Sequence, residues 1–122
     1  MADGLGARLV RAIAAQDEKA LGECFAPEVE FRALVPSGLR ERTGAGETAA
    51  LIAQWFGDSS ELRLLESHDQ DVADRLHISY RFEGVDGGEP YVVEQQLYCV
   101  VSEGRVVRAD LLCSGFRPRP GA

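Results

Sequence analysis

Apolar residues in the first half of the chain follow helical spacing, then strand spacing, then helical spacing again. Residues 4–16 carry apolar side chains three or four positions apart with charged residues opposite, which predicts an amphipathic helix. Asp17 is a suitable N-cap for a second, short helix that ends before Pro27. Residues 29–34 alternate between apolar and polar and predict a strand, and an apolar stripe over residues 46–57 predicts a third helix.

In the second half of the chain, the hydrophobic pattern repeats every two residues. Apolar and polar residues alternate over four segments, at about 60–70, 75–84, 90–101 and 105–115, with Asp, Glu and Gly between them. Four such strands in succession form a meander. The whole order predicts an α+β fold in which three N-terminal-half helices pack on a curved, mostly antiparallel sheet, forming a cone with an internal cavity.

Turn lengths predict which side chains share a face of the last three strands. A two-residue turn at Glu103-Gly104 pairs Glu94 with Cys113, and a three-residue loop over residues 86–88 pairs Glu94 with Tyr80. Residues paired across antiparallel strands point to the same side of a sheet. The side chains predicted to share this face are Tyr80, Glu94, Gln96, Tyr98, Leu111 and Cys113.

We interpret this face as the inner one, because small-molecule cavities are mostly apolar with a few polar groups. Phe31 of the first strand and Trp55 of the third helix complete the predicted pocket. Glu94 is the candidate catalytic residue, since desolvation in an apolar cavity suits a carboxyl to general acid or base work. Gln96 and Tyr98 would then hold a carbonyl or hydroxyl group. The alternative is a satisfied polar cluster, or one that faces a dimer partner.

The opposite face of the same strands is predicted to be exposed in a monomer. Exposed apolar surface of that extent usually marks an interface, so we expect a homodimer formed through the sheet. The apolar side chains predicted for this outer face are Val93, Leu97, Cys99, Val106 and Leu112.

Composition narrows the classes of partner. The chain has 122 residues, enough for one domain, and 13 basic against 20 acidic residues give a net charge of −7. This balance argues against nucleic acid and anionic membrane surfaces as partners. We find neither a signal peptide nor a transmembrane segment in the sequence.

Cysteine and histidine usage gives no indication of a metal or a disulfide. Three cysteines are widely spaced and include no CxxC pair, which favours free thiols in a reducing cytoplasm. The two histidines, His68 and His77, do not have metal-ligand spacing and are predicted to lie at a strand end and on the outer face. No metal or cofactor is therefore expected.

Three stretches carry a family resemblance. Residues 16–21 read QDEKAL, residues 25–31 read FAPEVEF, and residues 103–107 read EGRVV. In this order of elements they resemble the NTF2-like superfamily, in its SnoaL-like branch with a cystatin-like α+β fold. The similarity covers about residues 5–116, which we take as a single domain, with residues 117–122 as a flexible tail.

The resemblance implies a fold more strongly than an activity, because the superfamily includes isomerases, cyclases, carriers and protein-binding modules. Leu9, Ala33 and Gln96 stand where ketosteroid isomerases would have their tyrosine, aspartate base and second aspartate, so that chemistry is not expected. One hypothesis is a small-molecule-binding protein, or an isomerase- or cyclase-type enzyme acting by acid–base chemistry on an apolar carbonyl or hydroxyl compound. The alternative is a non-catalytic homodimeric interaction module that uses the outer sheet face.

Overall fold

The computed structural model describes residues 4–120, which form three helices and seven strands. The helices are α1 (Leu5–Ala14), α2 (Glu18–Gly22) and α3 (Ala45–Phe56). The strands are β1 (Phe25–Val35), β2 (Gly38–Thr43), β3 (Ser59–Val72), β4 (Arg75–Asp86), β5 (Glu89–Ser102), β6 (Arg105–Cys113) and β7 (Arg117–Pro118).

The sheet is mixed, with the order β2-β1-β6-β5-β4-β3. Only the β1–β6 pairing is parallel in this path, and β7 pairs with β5. The helices pack on one side of this curved sheet, so the predicted α+β architecture is confirmed. β2 was not predicted, because its sequence, GLRERT, holds a single large apolar residue and gives no period-2 signal.

The helices are placed by their apolar faces and by one cap. α1 buries Leu9, Val10 and Ile13 against the core. The Oδ1 of Asp17 accepts a hydrogen bond from the Ala20 amide at 3.0 Å, which confirms Asp17 as the N-cap of α2. No helix within residues 4–120 is long and apolar enough to cross a bilayer.

Buried side chains fill the space between the helices and the sheet. Phe56 of α3 meets Phe82 of β4 edge to face, with ring centroids 5.6 Å apart, and Phe25 and Phe31 of β1 pack nearby in the same core. The predicted internal cavity is therefore not confirmed. The buried side chains on the inner face of β4, β5 and β6 are Ile78, Tyr80, Phe82, Tyr91, Val93, Gln95, Leu97, Cys99, Val106, Ala109 and Leu111.

The turn before β5 is one residue shorter than predicted. Its two central residues are Gly87 and Gly88, with φ values of 59° and 85°. A two-residue hairpin turn of this kind needs positive φ at both positions, which glycine adopts without a steric penalty. Tyr80 therefore pairs with Gln95 and not with Glu94.

A β-bulge in β6 shifts the pairing of β5 with β6 by one residue, in the same direction as the shorter turn shifts the pairing of β5 with β4. The turn at Glu103-Gly104 is as predicted, but Val107 is an extra residue in β6 without an opposite number in β5. A bulge changes every later pair in a ladder by one residue. Gln95, and not Glu94, consequently pairs with Cys113.

Together the two shifts turn β5 over, because a one-residue slip moves every side chain to the other face. Val93, Leu97, Cys99 and also Val106 of β6 are buried in the core, so their assignment to the outer face was wrong. Leu112 does lie outside. The residues that were wrongly predicted to face inward are Glu94, Gln96 and Tyr98.

The expected tail is anchored over its first residues. Arg117–Pro118 forms β7 against β5, and the Arg119 amide donates to the Pro90 carbonyl at 3.3 Å. The Arg119 guanidinium also lies 3.1 Å from the Glu83 carboxylate. These contacts place residues 117–119 against the sheet, the flexibility of the tail stays a prediction, and its last two positions, 121–122, lie outside the described residues.

Two neighbouring residues of β5 test this register. We expect Leu97→Ala to lower the free energy of unfolding by about 3 kcal/mol, because it leaves a cavity in the core. Tyr98→Ala should cost no more than about 1 kcal/mol, because Tyr98 lies on the outer face with 41% of its surface exposed. Urea denaturation measures both, and a larger loss for Tyr98→Ala would contradict the register.

Candidate functional site

Glu94, the predicted catalytic residue, lies in an ion pair on the outer face of the sheet. Its Oε1 accepts hydrogen bonds from Arg81 Nη2 at 2.8 Å and Nε at 3.2 Å. The bond to Glu94 and the charge of Glu66, 3.9 Å away, raise the pKa of Arg81. Solvent reaches both side chains of the Arg81–Glu94 pair, which are more than two-fifths exposed. Glu94 therefore lacks the desolvated surroundings on which its predicted role depends.

Gln96 and Tyr98 lie beside Glu94 on the same outer face and contact a histidine. Gln96 Oε1 is 3.1 Å from His77 Nε2, and the rings of His77 and Tyr98 stack with centroids 4.6 Å apart. His68 of β3 lies across from Ser79 and joins this group. The structure thus brings together two histidines that were predicted to be separate. They border a small concavity of about 160 Å³, which we call the outer-face pocket.

Tyr80 and Gln95 form the polar centre of the inner face. Tyr80 Oη donates to Gln95 Oε1 at 2.7 Å, and Gln95 Nε2 donates to Cys113 Sγ at 3.3 Å. Burial raises the pKa of Tyr80 well above its ordinary value and raises that of Cys99 to about 12. Tyr80 and Cys99 therefore stay neutral at physiological pH. Tyr80, Gln95 and Cys113 satisfy one another by hydrogen bonds, so this cluster supports the fold. The sequence analysis missed Gln95 because the predicted register of β5 was wrong by one residue.

A larger concavity opens among the three helices. Its floor is apolar and consists of Ile13 of α1, Leu21 of α2, and Ile52 and Phe56 of α3. The volume is about 360 Å³, which lies within the range of small-molecule sites. We call this concavity the helix pocket. The polar side chains on its rim are Gln16, Asp17, Glu18 and Gln54.

The turn between α1 and α2 shapes this rim. Gln16 adopts φ 53°, an unusual value for a residue other than glycine, and this left-handed conformation ends α1. Its Nε2 donates to the Phe56 carbonyl at 2.7 Å and to the Ser59 carbonyl at 3.3 Å. Gln16 therefore joins the ends of α1 and α3, while Asp17 begins α2.

None of the residues predicted for the pocket lines the helix pocket. Phe31, Tyr80 and Leu111 belong to the core, and Trp55 packs beside it. Cys113 is half-buried next to Gln95. In the sequence, the helix pocket corresponds to the apolar stripes of two helices and to an N-cap. These signals are explained equally well by an ordinary core and an ordinary helix start, so they did not indicate a pocket.

Comparisons with known proteins agree with this fold. The sequence model of the SnoaL-like domain family matches residues 7–109. The chain belongs to the SnoaL-like domain family. Its predicted membership of the NTF2-like superfamily is confirmed. No curated protein matches this SnoaL-like chain.

Three solved structures illustrate the likeness of this SnoaL-like domain to other proteins. A hypothetical protein with a ketosteroid isomerase-like fold from Catenulispora acidiphila, in complex with trimethylamine, is 14% identical with a TM-score of 0.74, covering 91% of this chain and 85% of that one. A candidate isomerase from Bacillus subtilis is 16% identical, with a TM-score of 0.72 and coverage of 90% and 86%. A candidate polyketide cyclase from Xanthomonas campestris is 19% identical, with a TM-score of 0.71 and coverage of 88% and 86%. These identities show the fold alone.

Metal-ligand geometry does not occur in the part of this SnoaL-like domain that the structure describes. Within residues 4–120, no group of three or more His, Cys, Asp or Glu side chains is arranged to hold a metal ion. The polar side chains that line the helix pocket are carboxylates and amides.

Two substitutions at Gln16 separate its strain from its hydrogen bonds. We expect Gln16→Ala to lower the free energy of unfolding by about 2 kcal/mol, because both bonds from Nε2 are lost. Gln16→Gly loses the same bonds but adopts positive φ freely, so it should be about 1 kcal/mol more stable than Gln16→Ala. Urea denaturation measures the difference, and equal stability of the two variants would refute the strain at this turn.

Proposed function

We propose that this SnoaL-like domain binds a small, mostly apolar molecule in the helix pocket. The observation that carries the proposal is an apolar floor with a few polar groups on its rim, in a concavity of about 360 Å³. Family membership supports it. The Catenulispora acidiphila protein, found in complex with trimethylamine, supports small-molecule binding by this fold. The three free cysteines agree with a reducing, cytoplasmic location as part of the same proposal.

Turnover of the bound molecule is the finer form of this proposal. The structural likeness to a candidate isomerase and a candidate polyketide cyclase supports acid–base chemistry on a carbonyl or hydroxyl compound. Such chemistry needs a titrating group beside the ligand. Glu94 lies on the other side of the sheet, and the ionisable groups that line the helix pocket, Asp17 and Glu18, are at least as exposed as Glu94, so the pocket supports binding more directly than turnover.

A second proposal concerns the outer face of the sheet, where this chain would form a homodimer. Leu34 of β1 pairs with Leu39 of β2 on one side and Leu112 of β6 on the other, and each is about half exposed, at 51%, 52% and 50%. We call these three residues the leucine patch. A patch of this kind is covered when a two-fold axis brings two copies together. Charges of both signs lie beside it, as in the pair between Arg32 and Asp110.

Filling the helix pocket tests the first proposal. Native mass spectrometry of the protein purified from its host should show one small molecule per subunit. Ala53→Phe places a ring in the pocket and should abolish this extra mass, while Ala7→Phe on the exposed side of α1 should retain it. Circular dichroism checks that both variants fold. A wild-type protein without ligand, or a ligand retained by Ala53→Phe, would refute binding at this site.

A charge in the leucine patch tests the homodimer. We expect wild type to sediment as a dimer at micromolar concentration and Leu112→Asp to sediment as a monomer, because a carboxylate would be buried in the interface. Leu65→Asp changes an exposed leucine of β3 outside the patch and should leave the dimer intact. Sedimentation velocity measures all three. A monomeric wild type would exclude the interface.

A further inference from the structure

The ionisable side chains that line the helix pocket carry negative charge. They are Asp17 and Glu18, and among the described residues that line this pocket there is no Lys, Arg or His. Arg11 and Lys19 are close in sequence, but they are exposed and lie outside the lining. An apolar pocket with carboxylates on its rim favours a cation over an anion or a neutral molecule of the same shape.

Two helix ends add to this negative potential. α1 and α3 both terminate at the helix pocket, and the last turn of an α-helix carries a partial negative charge from its carbonyl groups. α2 begins there, but it has only five residues, and its positive end is occupied by the capping carboxylate of Asp17 and by Glu18 in the first turn. Part of the charge of Asp17 and Glu18 therefore balances the start of α2, while the ends of α1 and α3 add partial negative charge at the pocket.

Gln16 adds a further acceptor on the rim. Both donor positions of its amide nitrogen are used by the carbonyls of Phe56 and Ser59. The amide oxygen can only accept a hydrogen bond, so Gln16 has no free donor for an anion. A positive charge at the rim is compatible with this acceptor and with the carboxylates together.

These features point to one class of ligand. We infer that the helix pocket selects a molecule with an amine or ammonium group on an apolar body. The apolar body contacts the partly exposed Ala50 and Ala53 of the lining, since Ile13, Leu21, Ile52 and Phe56 are at most 3% exposed. The cation lies at the rim beside Asp17 and Glu18. The inference rests on the proposed function of the pocket and specifies its ligand. Because water reaches the rim, the charge contributes selectivity of a modest size, which salt reduces.

A pair of probes with the same shape and different charge tests the inference. Choline and 3,3-dimethylbutan-1-ol differ by a quaternary nitrogen in place of a carbon. In NMR titrations of the full chain, we expect choline to bind more tightly, on the order of ten-fold at low salt, with shifts confined to the end of α1, α2 and the end of α3. Raising the salt concentration should narrow the difference between the two probes.

Neutral variants of the rim carboxylates test whether these residues cause the preference for choline. Asp17→Asn keeps an N-cap for α2, and Glu18→Gln keeps the length of the side chain. Each should weaken choline binding on the order of three-fold and leave the neutral alcohol unchanged. Glu28→Gln removes an exposed carboxylate of β1 outside the pocket and should change neither affinity.

The outcomes distinguish this inference from the proposed function. Equal affinities for both probes at the pocket, or no binding of choline, would overturn the amine selectivity. Binding of the neutral alcohol alone would still agree with an apolar ligand site. The retained molecule in the native mass spectrum decides the proposed function independently of either probe.

Discussion

The register of β5 is the constraint on which the rest of this structure depends. β5 lies in the middle of the sheet, between β6 and β4, and contributes Val93, Leu97 and Cys99 to the core. Two local features fix it, the glycine turn before the strand and the bulge at Val107 after it. A shift of one residue at either end would expose these side chains and bury charged ones. The position of the core, the outer face and every candidate site follows from this alignment.

The observed register also gives Glu94 and Gln95, the neighbouring polar residues at the centre of β5, a partner each. Gln95 is the amide that enters the core, where the Tyr80 hydroxyl and the Cys113 sulfur satisfy it. Glu94 lies outside, where the guanidinium of Arg81 and water surround its carboxylate. Burial of an amide with its hydrogen bonds made is far less costly than burial of an unpaired carboxylate. The free energy of desolvation thus favours the same register as the turn and the bulge.

Sequence reasoning could predict the elements, the α+β class and the superfamily, because period, caps and family motifs are local signals. It could not decide the register of β5, since DGG fits a turn of two or three residues and a bulge leaves no mark in the alternation. The polar side chains of β5 did carry a signal about the register. The face with Gln95 contains one amide, whereas the face with Glu94 contains a carboxylate, which is more costly to bury. The helix pocket was missed because Ile13 and Phe56 have the spacing of ordinary core residues.

The two candidate surfaces of this domain lie on opposite sides of a filled core. The helix pocket is built from α1, α2 and α3, and the leucine patch from β1, β2 and β6. Close-packed side chains such as Phe31 and Leu97 separate them, with no shared residue. A ligand among the helices therefore touches nothing in the patch, and a partner on the sheet leaves the pocket open. Because the pocket and the patch share no residue, a substitution at the rim of the pocket can change binding there without altering the patch, and the reverse holds for the patch.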